Sequence, residues 1–144
     1  MGASEWYYFV PYQEDVSQAF QELRLKIFAE GDYYEGWYGP DPDSPPLKSI
    51  EDLIERQGTE GTHSILDIER IDAEPGFGVI TPLSEEDILG MFGTNKPSRK
   101  LVEEFFAPDD WDAGDYCNRW EGVYLVMYKD EEPDEILFVG FSGD

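Results

Sequence analysis

The sequence predicts an α+β fold: a mainly antiparallel sheet of four to five strands with helices packed on one face, as one domain over residues 1–144. Three observations predict it. The chain is 40% hydrophobic and 15% aromatic, too apolar for a disordered acidic segment even at a formal net charge of −23. Segments with apolar residues at helical spacing carry capping residues at their ends. Segments rich in β-branched and aromatic residues fall in neighbouring pairs, which reads as hairpins. At 144 residues a globule buries roughly two-thirds of the surface of its unfolded chain, enough for a core without staples.

Residues 5–12, EWYYFVPY, read as a strand with Trp6, Tyr8 and Val10 on one face and Tyr7 and Phe9 on the other, so both faces are at least partly covered. Residues 14–30 follow as a helix, with Val16, Ala19, Phe20, Leu23, Ile27 and Phe28 on one stripe, acids at its start and Gly31 after its end. Residues 31–46 hold too much Gly and Pro for regular structure and read as a long exposed loop. Ser49 caps a short helix to Gln57, with Asp52 in the reciprocal capping position and Gly58 as its stop. Residues 62–68 alternate into a strand, with residues 77–81 as its neighbour. Ser84 and Asp87 form a second capping box before a helix closed by Gly93. Ser98 opens another to Phe106 that buries Leu101, Val102, Phe105 and Phe106. A second irregular acidic loop covers residues 108–119, and a hairpin ends the chain: residues 122–128, a turn over 129–134, and residues 135–141.

Charge selects the partner. Basic clusters are absent, so direct nucleic-acid binding is not expected, and a surface of this sign repels anionic membrane while steering basic proteins toward it. No run of about 18 apolar residues occurs. The opening residues have neither a basic n-region nor an apolar h-region, and Trp6 stands where a myristoylation signal has Ser or Thr, so a cytoplasmic location is the expectation. One cysteine, Cys117, makes no internal disulfide, and no paired Cys/His spacing suggests structural zinc.

The segments EWYYFVPYQEDVSQAFQELRLKIFAEGDYY, GTHSILDI and GVYLVMYKDEEPDEILFVGFSGD resemble the corresponding regions of small bacterial proteins without an assigned activity. The resemblance implies a bacterial cytosolic origin and carries over no catalytic residue.

Chemistry-bearing residues are few in kind. His63 is the single histidine, and with Asp67 and Cys117 a Cys-His-Asp arrangement is conceivable. On one strand, however, His63 and Asp67 would stand about 13 Å apart, and the acids around Cys117 disfavour its thiolate. A structural, hydrogen-bonded His63 is the more economical expectation, and no catalytic residue is assigned. Asp110, Asp112, Asp115, Asn118 and Glu121 approach a calcium-loop register, but Asp115 replaces the turn glycine, so neither a metal nor another cofactor is expected. Phosphate-loop, dinucleotide and nucleophile-elbow motifs are absent.

The two loops carry the functional expectation. Asp32, Tyr33, Tyr34, Glu35, Trp37, Tyr38, Asp41 and Asp43 interleave rings with carboxylates, and Trp111, Asp112, Asp115 and Tyr116 repeat the pattern. A ring beside an acid complements Arg or Lys through cation–π and ionic contact together. The reading is a small acidic binding or inhibitor protein that occludes a basic partner, by neutralising a toxin or mimicking nucleic acid. The alternatives are an enzyme with a carboxylate-lined pocket, or an acidic domain built for solubility with no dedicated basic partner.

Overall fold

A computed structural model describes residues 5–35, 42–58, 61–106 and 118–142. The chain runs β1 (Glu5–Pro11), α1 (Val16–Glu30), α2 (Ile50–Gln57), a 3₁₀ turn (Ile65–Asp67), β2 (Arg70–Ile71), β3 (Val79–Pro82), α3 (Glu85–Phe92), α4 (Arg99–Phe106), β4 (Glu121–Lys129) and β5 (Glu132–Phe141). The α+β class stands, and the five strands form one sheet in the order β1-β5-β4-β3-β2. Pairing is antiparallel for β1/β5 and β4/β5 and parallel for β2/β3 and β3/β4.

Local chemistry sets the helix ends. Asp15 caps α1, its carboxylate accepting from the Gln18 N–H at 3.1 Å. Gly31, at φ 70°, ends α1 with its own N–H on the Phe28 carbonyl and that of Asp32 on Ile27, the paired bonds that satisfy the last orphan carbonyls. Ser49 and Ser84 cap α2 and α3 through the N–H groups of Asp52 and Asp87, as their capping boxes predict.

Four expectations are corrected. Residues 62–68 are not a strand. Ser64 accepts from the Leu66 N–H, Asp67 accepts from the Thr62 N–H, and His63 turns into left-handed backbone at φ 53°, because short polar side chains offer the chain local bonds in place of a ladder. The strand role passes to Arg70 and Ile71, which pair parallel with β3, so this part of the sheet is no hairpin. The helices also cover both faces. Phe20, Leu23, Ile27, Leu53, Ile136 and Phe138 lie in one core with Trp6 and Ile80. Val102, Val123, Leu125, Met127, Leu137 and Val139 lie in another, against which Ile88, Met91, Phe92 and Phe106 pack. Alternation along β5 places Leu137 and Val139 opposite Ile136 and Phe138, so each flank of the sheet has its own pair of helices. In α4 only Val102 of the expected four is fully buried; Leu101, Phe105 and Phe106 are half-buried.

The closing hairpin is tighter than the sequence suggests. Lys129 pairs with Glu132, leaving Asp130 and Glu131, at φ 53° and 68°, as a two-residue turn. Positive φ at both positions is what a type I′ hairpin requires.

Candidate functional site

The turn that replaces the expected strand builds the site. Asp67 is 6% exposed. Its Oδ1 accepts from the Thr62 N–H at 2.8 Å and its Oδ2 from the Ser142 hydroxyl at 2.6 Å. Burial raises its pKa, and the bonds from Ser142 and Thr62 and the field of His63 oppose that rise. His63 stacks on Tyr34, with ring centroids 4.1 Å apart and planes 3° from parallel. Tyr34 is held in turn by its N–H on the Thr62 carbonyl at 2.8 Å and by its carbonyl, which accepts from Gln57 at the end of α2. Segment 31–35, the end of α2 and the 61–67 turn therefore form one connected ledge.

Beside this ledge Trp120 adopts φ 65°, an uncommon conformation for a bulky residue and one found disproportionately at functional sites. Its carbonyl accepts from the Gly78 N–H at 2.8 Å, and its ring meets Phe77 at 5.3 Å and 39°. Phe77 is 67% exposed. Gly61 brings the backbone close to Asp67 and Trp120: a Cβ there would lie 2.9 Å from Asp67 Oδ2 and 3.1 Å from the Trp120 ring. The result is a recess of about 280 Å³ lined by Phe77, Trp120, Ile54, Gly58 and Gly61 together with Asp67 and Glu69. Small-molecule pockets usually span about 300–1,000 Å³, so this one suits a single side chain. Rings with adjacent carboxylates suit a cationic one.

The structure places the expected binding residues as follows. Asp32 is exposed at the end of α1, and Glu35 is half-buried. Tyr33 folds back onto the body, stacked on Phe28 at 6.0 Å and 13°, its phenol raised by burial and by Glu35. Tyr34 folds back onto His63, and Asp43 is exposed. The two tyrosines thus serve partly to cap the core and the ledge. Trp37, Tyr38, Asp41, Trp111, Asp112, Asp115 and Tyr116 lie outside the described residues, as does Cys117.

The extended spacing expected between His63 and Asp67 is also corrected, because a tight turn at Ile65–Asp67 replaces the strand. The calcium-register residues before Asn118 lie outside the described residues. Among the described residues no group of three or more His, Cys, Asp or Glu side chains is arranged to hold a metal ion, and no helix is long and apolar enough to cross a membrane.

Sequence reasoning missed Phe77, Glu69 and Trp120. The signal was there in Gly76-Phe77-Gly78, a large ring between two glycines, which suits a loop more than a strand. No family model, curated protein or solved structure matches the chain.

Proposed function

We propose that the protein is an acidic binding or inhibitor protein that occludes a basic partner, a nuclease-type toxin or another protein whose own site binds phosphate. The observation that carries this reading is the Phe77–Trp120 recess with Asp67 and Glu69 at its wall, on a molecule of net charge −23. The charge steers a basic protein into encounter, and the recess takes one Lys or Arg side chain, whose ion pair the two rings desolvate. A carboxylate-lined enzyme site is the weaker reading. Asp67 accepts one bond on each oxygen, from Thr62 and from Ser142, which ties this carboxylate to holding the turn.

The test is capture of basic proteins from bacterial lysate at low and at high salt, followed by binding kinetics of Trp120→Ala and Glu69→Gln. Trp120→Ala should weaken binding by about 2 kcal/mol or more through faster dissociation, as truncation of an interface anchor does. Glu69→Gln should mainly slow association and flatten its salt dependence. Recovery of no basic protein at low salt, or a Trp120→Ala variant that folds and binds like wild type, overturns the reading.

A further inference from the structure

The outer edge of β1 pairs with no strand among the described residues. Its register with β5 fixes which of its backbone groups face outward. The Tyr12 N–H donates to the Asp134 carbonyl at 3.0 Å, one step beyond the Pro11–Glu135 pair. In an antiparallel ladder, hydrogen-bonded and non-hydrogen-bonded pairs alternate. Trp6, Tyr8 and Val10 therefore bond to β5, and the N–H and C=O groups of Tyr7 and Phe9 point away from the sheet. Pro11, which has no N–H to give, falls on an outward position, where its lack costs the sheet nothing.

Edges of this kind are normally blunted by lysine, proline, bulges or covering loops, and the single proline of β1 stands at its last position, Pro11. β1 carries no lysine, its register with β5 is unbroken, and Tyr7 is 65% exposed. A groove flanks the edge on each face of the sheet. On the α4 face a cavity of about 450 Å³ is lined by Tyr7, Phe9 and Phe106 with Arg99 and Glu103. Arg99 lies over Phe9 at 3.7 Å and is already paired with Glu103 and Glu135, so this groove offers rings with a paired arginine, and Glu5 as a further acid in its lining. On the α1 face a cavity of about 580 Å³ carries Glu22, Glu30 and Asp32 against Lys26 and Arg99, and the Arg99 charge is the one already taken up by Glu103 and Glu135.

We infer that β1 is a strand-addition site for an extended segment of a partner protein in which apolar and basic residues alternate. Backbone pairing to Tyr7 and Phe9 supplies the register. The period of two then sends apolar side chains to the Tyr7–Phe9–Phe106 groove and Lys or Arg to the Glu22–Glu30–Asp32 groove. A second copy of this chain is a poor occupant, since each copy brings 23 net negative charges. From the functional reading above, the inference borrows only the sign of the partner's charge.

The test uses two blocked synthetic octapeptides of identical composition, one alternating Val and Lys and one with four Lys followed by four Val. Amide exchange is followed by NMR on the wild-type protein, and affinities are measured for wild type, Tyr7→Pro and Trp120→Ala. The alternating peptide should bind more tightly than the block peptide and slow exchange at the Tyr7 and Phe9 amides tenfold or more. Its affinity should fall at least tenfold in Tyr7→Pro, which removes an outward N–H and leaves the β1/β5 bonds in place, and should be unchanged in Trp120→Ala. Unchanged exchange at Tyr7 and Phe9, equal binding of the two peptides, or Tyr7→Pro binding like wild type overturns the proposal. Should Trp120→Ala then be the variant that loses the peptide, the edge proposal fails while the recess reading survives. The exchange measurement needs no variant, so it decides the matter even where Tyr7→Pro fails to fold.

Discussion

Asp67 is the residue on which the ledge turns, and its electrostatics give a signed expectation. Its folded pKa is raised by burial above the unfolded value of about 3.9, so the folded state holds this proton more tightly than the unfolded chain does. The stability it contributes is fully present below the unfolded pKa and is lost as pH rises through the folded pKa. In Asp67→Asn the amide keeps an acceptor for Thr62 and presents a donor to the Ser142 oxygen, with no charge to bury. Urea unfolding of both proteins between pH 3.5 and pH 7.5 should show the wild type losing stability relative to the variant as pH increases. A constant difference across that range would show that Asp67 keeps its ordinary titration. The phenol of Tyr8, pushed up to about 12 chiefly by burial, stays neutral throughout.

At the scale of the element, the sheet rests on a row of three residues. Trp6 pairs with Gly140 and Gly140 with Gly122, and the indole lies across both glycines. A Cβ at Gly140 would meet the Glu121 carbonyl oxygen at 2.5 Å and the Trp6 ring at 2.6 Å. The backbone atom cannot yield as a flexible side chain would. Gly140→Ala should therefore cost at least about 1–3 kcal/mol, the usual range for an overpacked core. The β4–β5 turn predicts the opposite sign. Glu131 sits at φ 68°, where an L side chain costs roughly 1–2 kcal/mol and glycine costs only its chain entropy of about 0.5–1 kcal/mol. Glu131→Gly should raise stability by roughly 0.5–1 kcal/mol in chemical denaturation, and a loss on that substitution would refute the turn assignment.

For the whole molecule, net charge dominates. With 33 acids against 10 Lys and Arg, self-repulsion opposes the compact state. Exposed ion pairs do little to relieve it: Arg70–Asp72 at 3.6 Å is largely exposed, and exposed pairs contribute roughly 0–1 kcal/mol. Raising NaCl from 0.1 to 1 M shortens the screening length from about 10 Å to about 3 Å. The midpoint of thermal unfolding should rise over that range, while association with the proposed basic partner slows. A midpoint that falls or stays flat would show that the carboxylates are spaced widely enough for repulsion to be negligible.

Local grammar was legible in the chain itself. Ser49 and Ser84 with their aspartates, Gly31 after α1, the alternation of β5 and the excess of acid each act over a few residues or over the whole composition, so helix ends, the α+β class and the sign of the net charge followed without coordinates. The 62–68 segment defeated the pattern because Ser64 and Asp67 satisfy local backbone as readily as a neighbouring strand would, and alternation alone does not distinguish the two. Which face each helix covers, the parallel pairing of β2, β3 and β4, and the meeting of Phe77, Trp120 and Asp67 depend on contacts between distant segments. Asp67 and Ser142, 75 positions apart, share a 2.6 Å hydrogen bond that only the closed sheet brings about, and the recess beside it exists for the same reason.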